Sequence, residues 1–180
     1  MIEEKELIKG CVAGKSKYQK ILYQRYQGIV MGIGSRYAKN REDAEDIVQD
    51  AFIKIFLNLK HYRHEGSFDG WIKRVTTNTA LDYLKSRKKW EIVDSIDEHH
   101  RDIQDTIIVE GDDIPVEKLK EFISQLPDGY RTVFNLCAID EYKQEEIAVM
   151  LGCSHSNVRT QYFKAKKVLQ GMIEEWRRGI

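Results

Sequence analysis

Proline is nearly absent. The 180 residues hold only Pro115 and Pro127, both in the second half. A proline inside a helix removes a hydrogen-bond donor and crowds the preceding turn, so nothing of this kind interrupts the first half. Where the two prolines do occur, each is suited to opening a helix, because the missing N–H there has no partner to lose. Cysteine is scarce as well. Cys11, Cys137 and Cys153 are odd in number, far apart and never in a C-x-x-C pair, which argues against a disulfide framework or a zinc site and for reduced thiols. Cys137 and Cys153 sit among apolar residues at helical spacing and are expected to be buried by packing. No apolar run approaches the roughly 18 residues of a membrane span. The opening Met1-Ile2-Glu3-Glu4-Lys5 has no basic-then-apolar leader, and a cytoplasmic protein is expected.

Net charge is missing too, since 29 basic residues balance 29 acidic ones. That excludes a uniformly basic nucleic-acid coat, but the zero conceals blocks. From Phe68 to Lys89 stand Lys73, Arg74, Lys85, Arg87, Lys88 and Lys89 against Asp69 and Asp82. From Glu91 to Lys118 ten acids face only Arg101 and Lys118, and from Arg159 to Lys167 every charge is positive. A basic, acidic, basic order suggests two separate surfaces facing polyanions.

What remains is helical periodicity, with no segment alternating as a strand does, so the fold class read from the pattern is all-α. The stretch from about Ile92 to Ile114 is acidic, weakly periodic and carries Gly111-Asp112-Asp113, and it reads as a linker between two helical domains. His99 and His100 lie in it without a neighbouring third ligand, and a metal site is not expected. No clustered carboxylate metal set, nucleophile–base pair or phosphate loop is found, so neither catalytic residues nor a cofactor is expected.

The first strong helix begins at Asn40, a side-chain cap, followed by Glu42 and Asp43 where the helix dipole favours negative charge. Ala44, Ile47, Val48, Ala51, Phe52, Ile55, Phe56 and Leu59 make one apolar stripe. The opposite face carries Asp46, Gln49 and Asp50, then Ile53 and Leu57. Those two are either scattered surface residues or part of a partner surface. After a loop of polar and aromatic residues, His61 to Ser67, a basic helix places Trp71, Arg74, Asn78, Asp82 and Lys85 on one side. Such a face can hold phosphates with its cations and a base edge with Asn78. The loop's rings can pocket unstacked bases. Trp71 is more readily read as core than as a base-stacking ring, and the cluster Lys85, Arg87, Lys88 and Lys89 as a solvated helix end.

Near the C-terminus, Lys143 to Leu151 is a short amphipathic helix, Gly152-Cys153-Ser154 a turn, and the following helix has an apolar seam at Val158, Tyr162, Ala165, Leu169, Met172 and Trp176. Gly152 can take the left-handed conformation that ends a helix. This is the pattern of a helix-turn-helix, whose second helix enters the DNA major groove. Its outward face is expected to be Ser156, Arg159, Thr160, Phe163, Lys164 and Lys167. A DNA-binding repressor or activator, a helical adaptor and a nucleic-acid hydrolase are the rival classes at this stage; the hydrolase lacks the residues for its chemistry.

Four stretches then resemble, in order, the signature segments of extracytoplasmic-function (ECF) sigma factors: AEDIVQDAFIKIF (Ala44–Phe56), FDGWIKRVTTNTALDYLKSRKK (Phe68–Lys89), LPDGYRTVFNL (Leu126–Leu136) and QEEIAVMLGCSHSNVRTQYFKAKKVL (Gln144–Leu169). The resemblance implies an RNA polymerase specificity subunit. Residues 1–91 would form a sigma region 2-type domain, 92–114 an acidic linker threading toward the polymerase active centre, and 115–180 a region 4-type helix-turn-helix domain. It implies that Asp46, Gln49, Asp50 and Ile53 dock on the clamp helices of the largest polymerase subunit, with the β flap as a further contact. Arg63, His64, Ser67, Phe68, Trp71, Lys73, Arg74, Asn78 and Lys85 would meet the −10 element. Ser156, Asn157, Arg159, Thr160, Phe163, Lys164 and Lys167 would meet the −35 element. An anti-sigma partner and a monomeric free state are further implications. Gly70 stands where primary sigma factors carry a second tryptophan, which implies weaker strand separation and stricter promoter choice. Gln161 and Lys164 stand where arginine is frequent.

Overall fold

A computed structural model describes residues 2–86 and 114–179. The acidic segment, His99, His100, Arg87, Lys88 and Lys89 therefore lie outside the described residues. Every regular element among the described residues is helical, as the periodicity requires. The chain divides into two compact units, Met1–Arg87 and Lys88–Ile180.

The first unit has four helices. α1 (Glu4–Val12) carries Glu4 and Glu6 in its first turn and buries Leu7, Ile8 and Cys11. α2 (Ser16–Tyr37) follows closely. A Cβ at Gly10 would collide with the Tyr18 ring, so only glycine lets these two helices meet there. α3 (Arg41–Asn58) starts as the sequence indicates, with the Asn40 side chain accepting a hydrogen bond from the Asp43 N–H at 2.8 Å. It ends in a single 3₁₀ turn, Leu59–His61. α4 (Phe68–Ser86) opens with the Ser67 hydroxyl accepting from the Gly70 N–H at 3.1 Å. Thr76, Thr77 and Thr79 are buried within it. Two of these hydroxyls donate back to the carbonyls four residues earlier, Thr76 to Ile72 and Thr79 to Val75, each at 2.8 Å, which removes the cost of burying a polar group.

Leu7, Leu22, Tyr26, Val30, Phe52, Ile55, Leu59, Phe68 and Ile72 form the core of this unit. The stripe read on α3 is buried except for Phe56, which is half-buried at its edge.

In the second unit, α5 (Val116–Gln125) and α6 (Asp128–Phe134) each begin immediately after a proline, Pro115 and Pro127. The Arg131 guanidinium is buried, donating to the Ser124 carbonyl at 3.2 Å and to Asp128 at 2.9 Å, which braces the turn between them. α6 runs into a π-helical turn, Asn135–Ile139. α7 (Gln144–Leu151) and α8 (His155–Arg177) complete the unit. Phe122, Leu126, Ala165, Leu169 and Ile173 form a core on which Ile114, the last residue of the expected linker, also packs.

The seam of α8 differs from the one read in the sequence. Val158, Ala165 and Leu169 are buried as expected, but Ile173 and Gln161 join them. Tyr162 and Met172 are half-buried, and Trp176 is 36% exposed. The physical reason is that α5 and α6 both pack on α8, so its buried surface is wider than a single stripe and shifts along the helix. Cys137 and Cys153 are likewise half-buried, not buried as expected.

Candidate polymerase and nucleic-acid interfaces

On the first unit, α2 and α3 bound an open groove of ≈ 680 Å³, lined by Tyr23, Met31, Glu45, Asp46, Val48, Gln49, Phe52, Ile53 and Phe56. Asp46, Gln49, Asp50 and Ile53 are all exposed along α3. Ile53 is 52% and Leu57 66% exposed, so the apolar residues on the polar face do stand in solvent, next to carboxylates at one end. Tyr23 and Met31 were not anticipated. α2 carries apolar residues on more of its surface than one core can bury, and that excess is the signal that could have found them.

The second surface lies on the loop and α4. Arg63 and His64 are exposed. His64 has φ 59° and Gly66 φ 88°, left-handed conformations that turn the chain sharply before α4. The Tyr62 ring, with centroids 4.6 Å from His64, 5.2 Å from Phe68 and 5.5 Å from Trp71, anchors the loop from beneath. Phe68 requires a correction. Read as a −10 contact, it is 1% exposed, stacked on Trp71 and edge-on to Tyr26. As the first residue of α4 it is driven inward by the Ser67 cap, and it supports the loop from within the core. Ser67 is exposed, but its hydroxyl is engaged as that cap. Trp71 is half-buried against the core, while Lys73, Arg74, Asn78, Asp82 and Lys85 are exposed.

The third surface belongs to α7 and α8. Gly152 has φ 69° and ψ 35°, the left-handed C-cap that the sequence called for, and the Ser154 hydroxyl accepts from the Asn157 N–H at 3.1 Å to start α8. The Glu146 carboxylate accepts from the Lys143 N–H at 3.1 Å at the start of α7. These caps fix the short turn of a helix-turn-helix. Ser156, Arg159 and Lys167 are exposed, and Asn157, Phe163 and Lys164 half-buried. Thr160 is the second correction: it is 6% exposed. A threonine side chain reaches less far from the helix axis than Asn157, Phe163 or Lys164, its neighbours at three and four residues, and Thr160 itself presents almost no surface.

Among the described residues no group of three or more His, Cys, Asp or Glu is placed to hold a metal ion. No helix among them is long and apolar enough to cross a membrane.

Two helical units, one with a helix-turn-helix and one with a basic helix beside an aromatic loop that also carries an open groove, have the architecture of a DNA-binding protein. Comparison with known families narrows this. The Sigma-70 region 2 model matches residues 22–90, and the Sigma-70 region 4 model matches residues 117–169, together more than half of the chain. Over 184 residues the chain is 28% identical to the ECF RNA polymerase sigma-E factor of Haemophilus influenzae, covering 96% of each. It is 26% identical over 187 residues to the RNA polymerase sigma-H factor of Pseudomonas aeruginosa, covering 96% of this chain and 97% of that one. Among solved structures, the sigma factor RpoE in complex with the anti-sigma factor NepR from Bartonella quintana matches with a TM-score of 0.55 at 17% identity, covering 86% of this chain and 96% of that one. CnrH in complex with the cytosolic domain of CnrY matches with a TM-score of 0.50 at 20% identity, covering 93% and 95%. The chain belongs to the ECF sigma factors of the sigma-70 family, non-enzymatic subunits that direct RNA polymerase to promoters.

Proposed function

We propose that the three surfaces divide the work of promoter recognition. The α2–α3 groove, with Asp46, Gln49, Asp50 and Ile53 and the newly found Tyr23 and Met31, takes the clamp helices of the largest polymerase subunit. The exposed Ile53 of the groove and Leu57 one turn further along α3 are the observation that carries this reading, because apolar side chains beside carboxylates on an otherwise well-packed helix suit a protein partner. Arg63, His64, Trp71, Lys73, Arg74, Asn78 and Lys85 meet the −10 element: the loop receives an unstacked base, Asn78 reads a base edge and the cations hold phosphates. Ser67 and Phe68 position that loop from beneath.

Ser156, Asn157, Arg159, Phe163, Lys164 and Lys167 meet the −35 element, with Arg159 suited to a guanine edge or a phosphate. The second unit also contacts the β flap. Residues 1–91, the acidic segment 92–114 and residues 115–180 act as two binding modules and their tether. Joint occupancy raises affinity through effective concentration, without any nucleotide hydrolysis.

An anti-sigma protein covers the polymerase-facing groove in the resting state, and the free chain is a monomer. Two similar proteins solved with partners, CnrH with CnrY and RpoE with the anti-sigma factor NepR, support the expectation of an anti-sigma protein.

Transcription in vitro with purified core polymerase and a pool of genomic promoter fragments tests the whole. Transcripts starting downstream of one shared pair of boxes are expected, and Ile53→Glu should abolish them while leaving the helical content intact. Transcripts with no shared boxes, or an Ile53→Glu chain as active as the parent, would refute the assignment.

A further inference from the structure

The proposed −10 face of α4 contains a carboxylate where phosphates are to be held. Asp82 lies one helical turn from Asn78 and three residues before Lys85, and its side chain is 63% exposed. A bare carboxylate there repels DNA, since charges within about one Debye length, ~8 Å at physiological salt, still feel one another. The structure supplies a counter-charge from a different helix. Lys54 of α3 reaches across to Asp82, Nζ to Oδ2, at 2.8 Å.

We propose that Lys54 and Asp82 form a charge-setting pair for promoter DNA. Lys54 cancels the Asp82 carboxylate so that α4 presents Arg74, Asn78 and Lys85 without a repulsive centre. The pair thereby limits how strongly this face holds any phosphate backbone, leaving discrimination to base contacts. Both partners are solvated, and exposed ion pairs contribute little to folding, so the stability of the unit does not account for it. The cation is a lysine, a flexible point charge with no fork geometry to bind it rigidly, which suits screening better than bracing. The inference rests on the reading of α4 as the −10 helix.

The test is the affinity of reconstituted holoenzyme for a fork-junction fragment of a promoter found in the transcription experiment, measured by fluorescence anisotropy over a series of salt concentrations. Asp82→Asn frees Lys54 to neutralise one more phosphate. It should tighten binding roughly threefold and steepen the log–log salt slope by about 0.7–0.9. Lys54→Met leaves the carboxylate bare and should weaken binding roughly threefold, and the double variant should return to about the parent value. Core affinity is measured in parallel. If Lys54→Met loses core binding as well, its DNA result reports docking or folding and not the pair, and the sign of Asp82→Asn decides alone. Opposite signs for the two single variants support the pair. An Asp82→Asn holoenzyme that binds no tighter than the parent overturns it while leaving the transcription result standing. A parent holoenzyme that starts no transcript overturns the promoter reading and the pair together.

Discussion

The phenol of Tyr83 donates a hydrogen bond to a carboxylate oxygen of Asp43 across 2.6 Å, joining the last turn of α4 to the first turn of α3. The two helices that carry the proposed promoter and polymerase faces are thus tied at one end through a buried carboxylate. Hydrogen bonds to charged groups contribute about 1.5–3 kcal/mol. Tyr83→Phe should therefore lower the stability of the first unit by about 1.5–3 kcal/mol, read as a lower urea midpoint in tryptophan fluorescence. An unchanged midpoint would show that the tie contributes nothing.

A second tie has a pH signature. Tyr26 on α2 donates to Asp69 of α4 at 2.6 Å. Burial, then the hydrogen bond and charge of Asp69, raise the Tyr26 phenol well above its usual value near 10. A raised pKa favours the protonated form in the folded state, so this contribution is complete below about pH 10 and is lost as pH climbs from there toward the folded value. Tyr26→Phe should be less stable than the parent at neutral pH, and the gap should close above pH ~10. A gap that is constant with pH would contradict the assignment.

The recognition helix offers a contrast between neighbours. Arg159 is exposed and Thr160 is buried. Arg159→Ala should weaken discrimination at one −35 base pair by about 1–3 kcal/mol, measured by competition between promoter variants in holoenzyme binding. Thr160→Ala should leave that discrimination unchanged. The reverse result would mean that α8 presents a different face to DNA.

Burial raises the thiols of Cys11 and Cys137 from 9.0 to about 11, with Lys166 partly opposing the rise at Cys137. Only the thiolate reacts. At pH ~8, iodoacetamide should modify both roughly a hundredfold more slowly in the native chain than in urea, followed by mass spectrometry of the labelled peptides. Rapid native labelling at Cys11 would contradict its burial, and at Cys137 the raised pKa of that half-buried thiol.

Much of this is legible in the sequence. The Asn40 cap, the α3 stripe, the left-handed Gly152 and the helix openings after Pro115 and Pro127 are local consequences of residue type, and each appears where the pattern puts it. The misses share a different cause. The resemblance puts Phe68 on DNA and helical position puts Thr160 there, but burial depends on neighbours in space: Phe68 lies among the rings of Tyr26, Tyr62 and Trp71, and Thr160 is 6% exposed. The α8 seam moved because α5 and α6 pack on it together, which no single-helix period encodes. Tyr23 and Met31 were missed because a groove belongs to two helices at once. Lys54 and Asp82 are 28 residues apart in sequence and meet only after α3 and α4 have packed.

If joint occupancy supplies the affinity, neither unit alone should grip its promoter box firmly without polymerase. Footprinting of an intact duplex promoter with the chain alone, with core enzyme alone and with both together addresses it most directly. Protection over the −35 and −10 boxes is expected only when chain and core are combined. Strong protection of the duplex by the chain without core enzyme would contradict it.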